Sequence, residues 1–73
     1  MLYQIVSSSC IAEVGYDSAD QILAVRFHRN QEYHYVGVPA QTYQALLTAS
    51  SIGQYFNTEV RNAYPHIPAL QSP

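Results

Sequence analysis

The stretch Ile22-Leu23-Ala24-Val25-Arg26-Phe27-His28-Arg29-Asn30-Gln31-Glu32-Tyr33-His34-Tyr35-Val36-Gly37-Val38-Pro39 decides the fold of this chain. Its first part alternates. Leu23, Val25 and Phe27 share one face of a strand, and Ile22, Ala24 and Arg26 share the other. A second strand over Gln31–Gly37 puts Tyr33 and Tyr35 on one face and Glu32, His34 and Val36 on the other. Between them, His28–Asn30 is a three-residue loop that wants a left-handed residue at its end, and Asn30 tolerates that conformation. This loop sets Val25 opposite Tyr33 and Leu23 opposite Tyr35. It also sets Arg26 opposite Glu32 on the far face, where the two can pair. At Pro39 the period changes from two to about 3.6, and proline suits a helix start because its missing N–H would be unpaired there.

Working outward, Ile11 to Tyr16 reads as a strand near 11–17, with Ala12, Val14 and Tyr16 on one face. Asp17–Asp20 reads as a four-residue turn, which sets Val14 opposite Leu23. Residues 1–6 suit a short edge strand, and Ser7-Ser8-Ser9 breaks it. On the other side, Tyr43, Leu46 and Leu47 form a helical stripe within 39–49. Ser51 and Gln54 have capping-box spacing for a second helix over 51–62, whose stripe is Ile52, Tyr55, Phe56, Val60 and Tyr64. Pro65 and Pro68 stop it. The expectation is an α+β domain over residues 1–65: a small antiparallel meander of three to four strands, then two helices packed on one face. Residues 66–73 are expected to be a loose tail.

Composition narrows the function classes. The 73 residues are 48% hydrophobic and 11% charged, which excludes a disordered chain. The net charge is −2 and lysine is absent, which disfavours a strongly basic nucleic-acid binder. The single cysteine, Cys10, cannot form an intrachain disulfide and reads as a small buried or half-buried side chain. No apolar run reaches transmembrane length and no signal peptide is evident, so a cytoplasmic, non-membrane protein is expected. A domain this small buries only about 60% of its unfolded surface. Seven tyrosines suggest an aromatic core, and self-association as a homodimer is the other route to stability.

The residues offer no catalytic signature. His28, His34 and His66 do not have metal-ligand spacing, and Gly15, Gly37 and Gly53 form no phosphate-binding fingerprint, so no metal and no small-molecule cofactor is expected. Tyr33 and Tyr35 could stack unpaired bases if exposed. Their shared face with Val14, Leu23 and Val25 instead predicts buried rings with hydroxyls toward the rim. Asn57 and Arg61, at i and i+4, meet on the polar side of the second helix, where they could hold a carboxylate, a phosphate or a carbonyl. With Arg26 engaged by Glu32, Arg29 and Arg61 are the cations left for a phosphate.

These residues resemble the KTSC domain, named for the C-terminus of some lysyl-tRNA synthetases and also found in short free-standing bacterial proteins. The hallmark Y-x-Y is Tyr33-His34-Tyr35. The resemblance runs through Val6-Ser7-Ser8, Ile11, Gly15-Tyr16-Asp17, Leu23, Val25, Phe27, Val38-Pro39, Tyr43 and Leu46. It ends with Ser51-x-Gly53-x-Tyr55-Phe56-Asn57 and Val60-Arg61-x-x-Tyr64-Pro65, covering about residues 6 to 65. One departure lies before Y-x-Y, where Asn30-Gln31 replaces a frequent glycine. The resemblance carries over no catalytic residues, since the family defines none, and its association with the synthetase points to RNA; the expectation is a non-catalytic binding module with RNA or a tRNA-associated protein as partner. A protein-interaction or self-association module is the alternative. Candidate binding residues are Asn57, Arg61, Tyr33, Tyr35 and Arg29.

Overall fold

The computed structural model describes residues 2–69. Five strands form one antiparallel sheet in sequential order: β1 Tyr3–Ile5, β2 Ile11–Asp17, β3 Ile22–Phe27, β4 Glu32–Val36 and β5 His66–Pro68. Two helical segments lie between β4 and β5: α1 Ala40–Thr48, then α2 Ile52–Tyr55, which continues as a π-helical turn over Phe56–Val60. Both pack on one face of the sheet. The core between the layers is Ile11, Val14, Leu23, Val25, Tyr35, Val38, Tyr43, Leu46, Phe56 and Val60.

The β3–β4 register is the expected one, with Leu23 opposite Tyr35, Val25 opposite Tyr33 and Arg26 opposite Glu32. Asn30 takes the left-handed position at φ 60°. The β2–β3 register differs from expectation. Val14 lies opposite Val25, not Leu23. The four-residue loop falls one position later, on 18–21, because Asp17 Oδ1 accepts the Ala19 and Asp20 N–H groups at 3.0 and 3.3 Å while Gln21 takes the left-handed turn at φ 55°. A slip of two residues keeps every side chain on its face, so the core survives the change. A bulge between Ile11 and Glu13 also corrects the reading of β2. The extra residue turns Ile11 into the core and leaves Ala12 only half-buried.

α1 begins one residue after Pro39, which sits as its N-cap. The Ser51 hydroxyl accepts the Gln54 N–H at 3.3 Å and caps α2, as its spacing predicts. The second helix is not regular to residue 62. Arg61 N–H bonds to Phe56 O at 2.9 Å, an i+5 closure. That wider turn carries both Phe56 and Val60 into the core. The loose tail is corrected too: residues 66–68 pair with β4, held at either end by Val36 N–H to Pro65 O and Ala69 N–H to Glu32 O, both 2.9 Å. A three-residue strand between prolines has no alternation of its own to read; β4's free edge recruits it. Residues 70–73 lie outside the described residues.

The other sheet face carries no helix. Tyr3 on β1 and Glu32 on β4 are three strand spacings apart, about 14 Å. Nevertheless, the Tyr3 hydroxyl donates to Glu32 Oε2 at 2.6 Å. Gly15 and Ala24, which lie in register beside Tyr3, leave the path open. The Arg26 guanidinium sits 3.7 Å from the Tyr3 ring centroid. It also bonds Glu32 Oε1 at 2.6 Å and pairs with Glu13 at 3.5 Å. His34 Nε2 reaches Glu32 Oε2 at 2.8 Å. Burial alone would raise the Glu32 pKa, but hydrogen bonds from Tyr3, Arg26 and His34, with the Arg26 charge, hold it at about 2.

Candidate functional site

The two helical segments do not cover the inner face evenly. α1 closes over β1 and β2, where Tyr43 stacks on Tyr16 with centroids 4.9 Å apart and the Tyr16 hydroxyl donates to Val38 O at 2.6 Å. The α2–π segment leans over β3 and β4 through Phe56, which meets Phe27 and Tyr35 edge to face at 5.7 and 5.3 Å. Between that segment, β4 and β5 a cavity of about 370 Å³ remains. Phe27, Tyr33, Tyr35 and Phe56 form its aromatic wall. His66 packs 5.2 Å from both Tyr33 and Tyr35 and closes one side. Asn57, Arg61 and Gln31 supply its polar groups, and Cys10 borders it.

The structure thus brings together four of the five residues singled out as binding candidates: Tyr33, Tyr35, Asn57 and Arg61. Arg29 is exposed in the β3–β4 turn and does not line the cavity. Tyr35 is buried as expected, while Tyr33 is only half-buried. Base stacking and core packing are therefore not exclusive here, because the covered face is incompletely filled. Cys10 is exposed, against the expectation of burial, since Ile11 takes the inward position at the bulge. His28 is turned to the Ser8 carbonyl at 2.9 Å and His34 to Glu32, and no metal-binding cluster occurs among the described residues. Sequence reasoning missed His66 and Gln31. His66 fell in the supposed tail, and the cue available was its place between Pro65 and Pro68, where the helix has stopped and the β4 edge is still unpaired.

The electrostatics of the cavity differ from those of the whole chain. The net charge is −2, yet no carboxylate of a described residue lines the cavity. Arg61 makes one long hydrogen bond, to Asn57 Oδ1 at 3.4 Å, and no ion pair with a described residue. Burial pushes the Tyr35 hydroxyl pKa up, and the Arg61 guanidinium pulls it partway back. That hydroxyl makes no hydrogen bond with a described residue. Aromatic faces, two amides and an available guanidinium can hold a flat, anionic group. No helix among the described residues is long and apolar enough to cross a membrane.

A five-stranded antiparallel meander with its helices on one face and an aromatic cleft beside them defines a small α+β domain. Its relatives are specific. The KTSC domain model matches residues 7–64. The chain is 45% identical over 58 residues to a protein of Tsukamurella paurometabola, covering 80% of this chain and 87% of that one. It is 44% identical over 52 residues to an uncharacterized protein of Stutzerimonas stutzeri, covering 71% and 73%. The crystal structure of a KTSC domain protein from Yersinia pestis superimposes with a TM-score of 0.90 at 31% identity, covering 93% of this chain and 96% of that one. The chain belongs to the KTSC domain family.

Proposed function

We propose that this chain is a non-catalytic binding module whose ligand is single-stranded RNA, held at the aromatic cleft. The observation that carries this reading is the cleft's composition: the half-buried Tyr33 and Phe27 rings together with Arg61, and no carboxylate of a described residue in the lining. Unpaired bases stack on aromatic rings, and guanidinium groups hold phosphate. An RNA ligand goes with action in the cytoplasm. The test is fluorescence anisotropy of a labelled single-stranded RNA, titrated with the parent chain and with Arg61→Ala. Saturable binding that weakens about tenfold or more in the variant supports the reading, on the scale of a charge-assisted hydrogen bond. No binding at low salt overturns it.

A second reading, self-association, has its own observation. Leu2 and Ile5 are 88% and 86% exposed beside and on β1, an edge strand whose outer side pairs with no described residue. Sedimentation across a hundredfold range of concentration decides it: a constant monomer mass excludes the homodimer.

A further inference from the structure

Tyr35 is 3% exposed and lines the cavity. Its hydroxyl has no hydrogen-bond partner among the described residues, and since none of their buried polar side-chain atoms lacks one, that oxygen is solvent-accessible. The Tyr35 hydroxyl and the Arg61 guanidinium line the same cavity and interact electrostatically, so together they suit an acceptor with several oxygens. A phosphate monoester provides it. The amides of Asn57 and Gln31 each offer donors and an acceptor, the pairing chemistry that reads the edge of a base. The half-buried Tyr33 ring gives a flat surface beside them. A volume of about 370 Å³ is at the small end of ligand sites, which run from about 300 to 1,000 Å³.

Charge limits the ligand further. Of the three arginines, Arg26 is occupied on the opposite sheet face by Glu13 and Glu32, and Arg29 lies outside the cavity. Arg61 alone among them faces the ligand, so the site neutralises about one phosphate. A polyanion tract would need a row of cations.

We infer that the cleft is a site for a single nucleotide unit, its terminal monophosphate held by Arg61 and the Tyr35 hydroxyl and its base set between Tyr33 and the Asn57 and Gln31 amides. This rests on the nucleic-acid reading above and narrows it from a strand to one residue. Two sources share this chemistry: the phosphorylated end of an RNA and a free nucleoside monophosphate.

The experiment is an NMR titration of the isotope-labelled chain with the four 5′-nucleoside monophosphates, the matching nucleosides, inorganic phosphate, and a single-stranded RNA ten-mer with and without its 5′-phosphate. A monophosphate should perturb Tyr35, Asn57 and Arg61, and bind about tenfold or more tighter than its nucleoside. Arg61→Ala should remove about that factor. Tyr35→Phe, which keeps the ring and the core, should weaken the monophosphate several-fold and leave the nucleoside unchanged. Mononucleotide binding should depend only weakly on salt, having no condensed counterions to release, against a slope of about −3 for a strand engaged at four phosphates. If the phosphorylated ten-mer binds like the mononucleotide and the unphosphorylated one does not, the source is an RNA end. If mononucleotides bind and neither ten-mer does, the inference stands with a free nucleotide as ligand, and the RNA reading falls. If both ten-mers bind equally and mononucleotides do not, the single-nucleotide site is overturned and the RNA reading survives. If nothing perturbs the cleft, both fall.

Discussion

The two faces of the sheet treat their polar groups in opposite ways. On the open face, Arg26 has two carboxylates and an aromatic ring, and Glu32 accepts from Tyr3, Arg26 and His34. At the cleft, Arg61 has one long bond to Asn57, and Tyr35's hydroxyl has none with a described residue. The polar groups of the open face are tied to one another, whereas Arg61 and the Tyr35 hydroxyl at the cleft make few bonds to described residues. The state of the polar partners, more than exposure, separates the two faces.

The largest effect should come from the covered face. Tyr35→Ala removes a buried ring packed on Phe56 and His66, and should cost about 3–5 kcal/mol in urea denaturation. Tyr33→Ala should cost clearly less, because that ring is only half-buried. Equal losses would show that the cleft is closed in solution.

Next comes the open face. Glu32→Gln should cost about 1–3 kcal/mol, the scale of hydrogen bonds to a charged group. Its pH dependence has a definite sign. The folded-state pKa of Glu32, about 2, is below the ordinary 4.5, so its stabilisation is complete above about 4.5 and is lost as pH falls toward 2. The parent's acid unfolding should flatten in Glu32→Gln over that window; an unchanged acid limb would mean that the network does not persist in solution.

Tyr3→Phe should cost about 1 kcal/mol, one hydrogen bond, while keeping the ring under Arg26. Desolvation, then the bond to Glu32, pushes the Tyr3 hydroxyl up to about 12. An ultraviolet titration of the parent should therefore show a late-ionising tyrosine that disappears in Tyr3→Phe.

The smallest effect on stability should be that of Asn57→Ala with Arg61→Ala, within about 0.5 kcal/mol, since both side chains are exposed. If that pair proves as costly as Glu32→Gln, the contrast between the faces disappears and these residues serve the fold.

Alternation over 22–39 was enough, by itself, to determine the β3–β4 hairpin, the Arg26–Glu32 pair and which face is covered, because period and a three-residue loop leave one register that buries the apolar set. Family membership was equally legible, since Tyr33-His34-Tyr35 and the Ser51–Asn57 pattern are local. The cleft was only half legible: the i, i+4 spacing placed Asn57 beside Arg61, but nothing local placed either beside Tyr35. Only the tertiary structure decided that. The bulge at Ala12, the π-helical turn after Tyr55 and the capture of His66–Pro68 by β4 each yield a locally regular pattern to long-range packing. Such choices depend on which neighbours are present to receive a side chain or a hydrogen bond, and that information is not local to any segment of the chain.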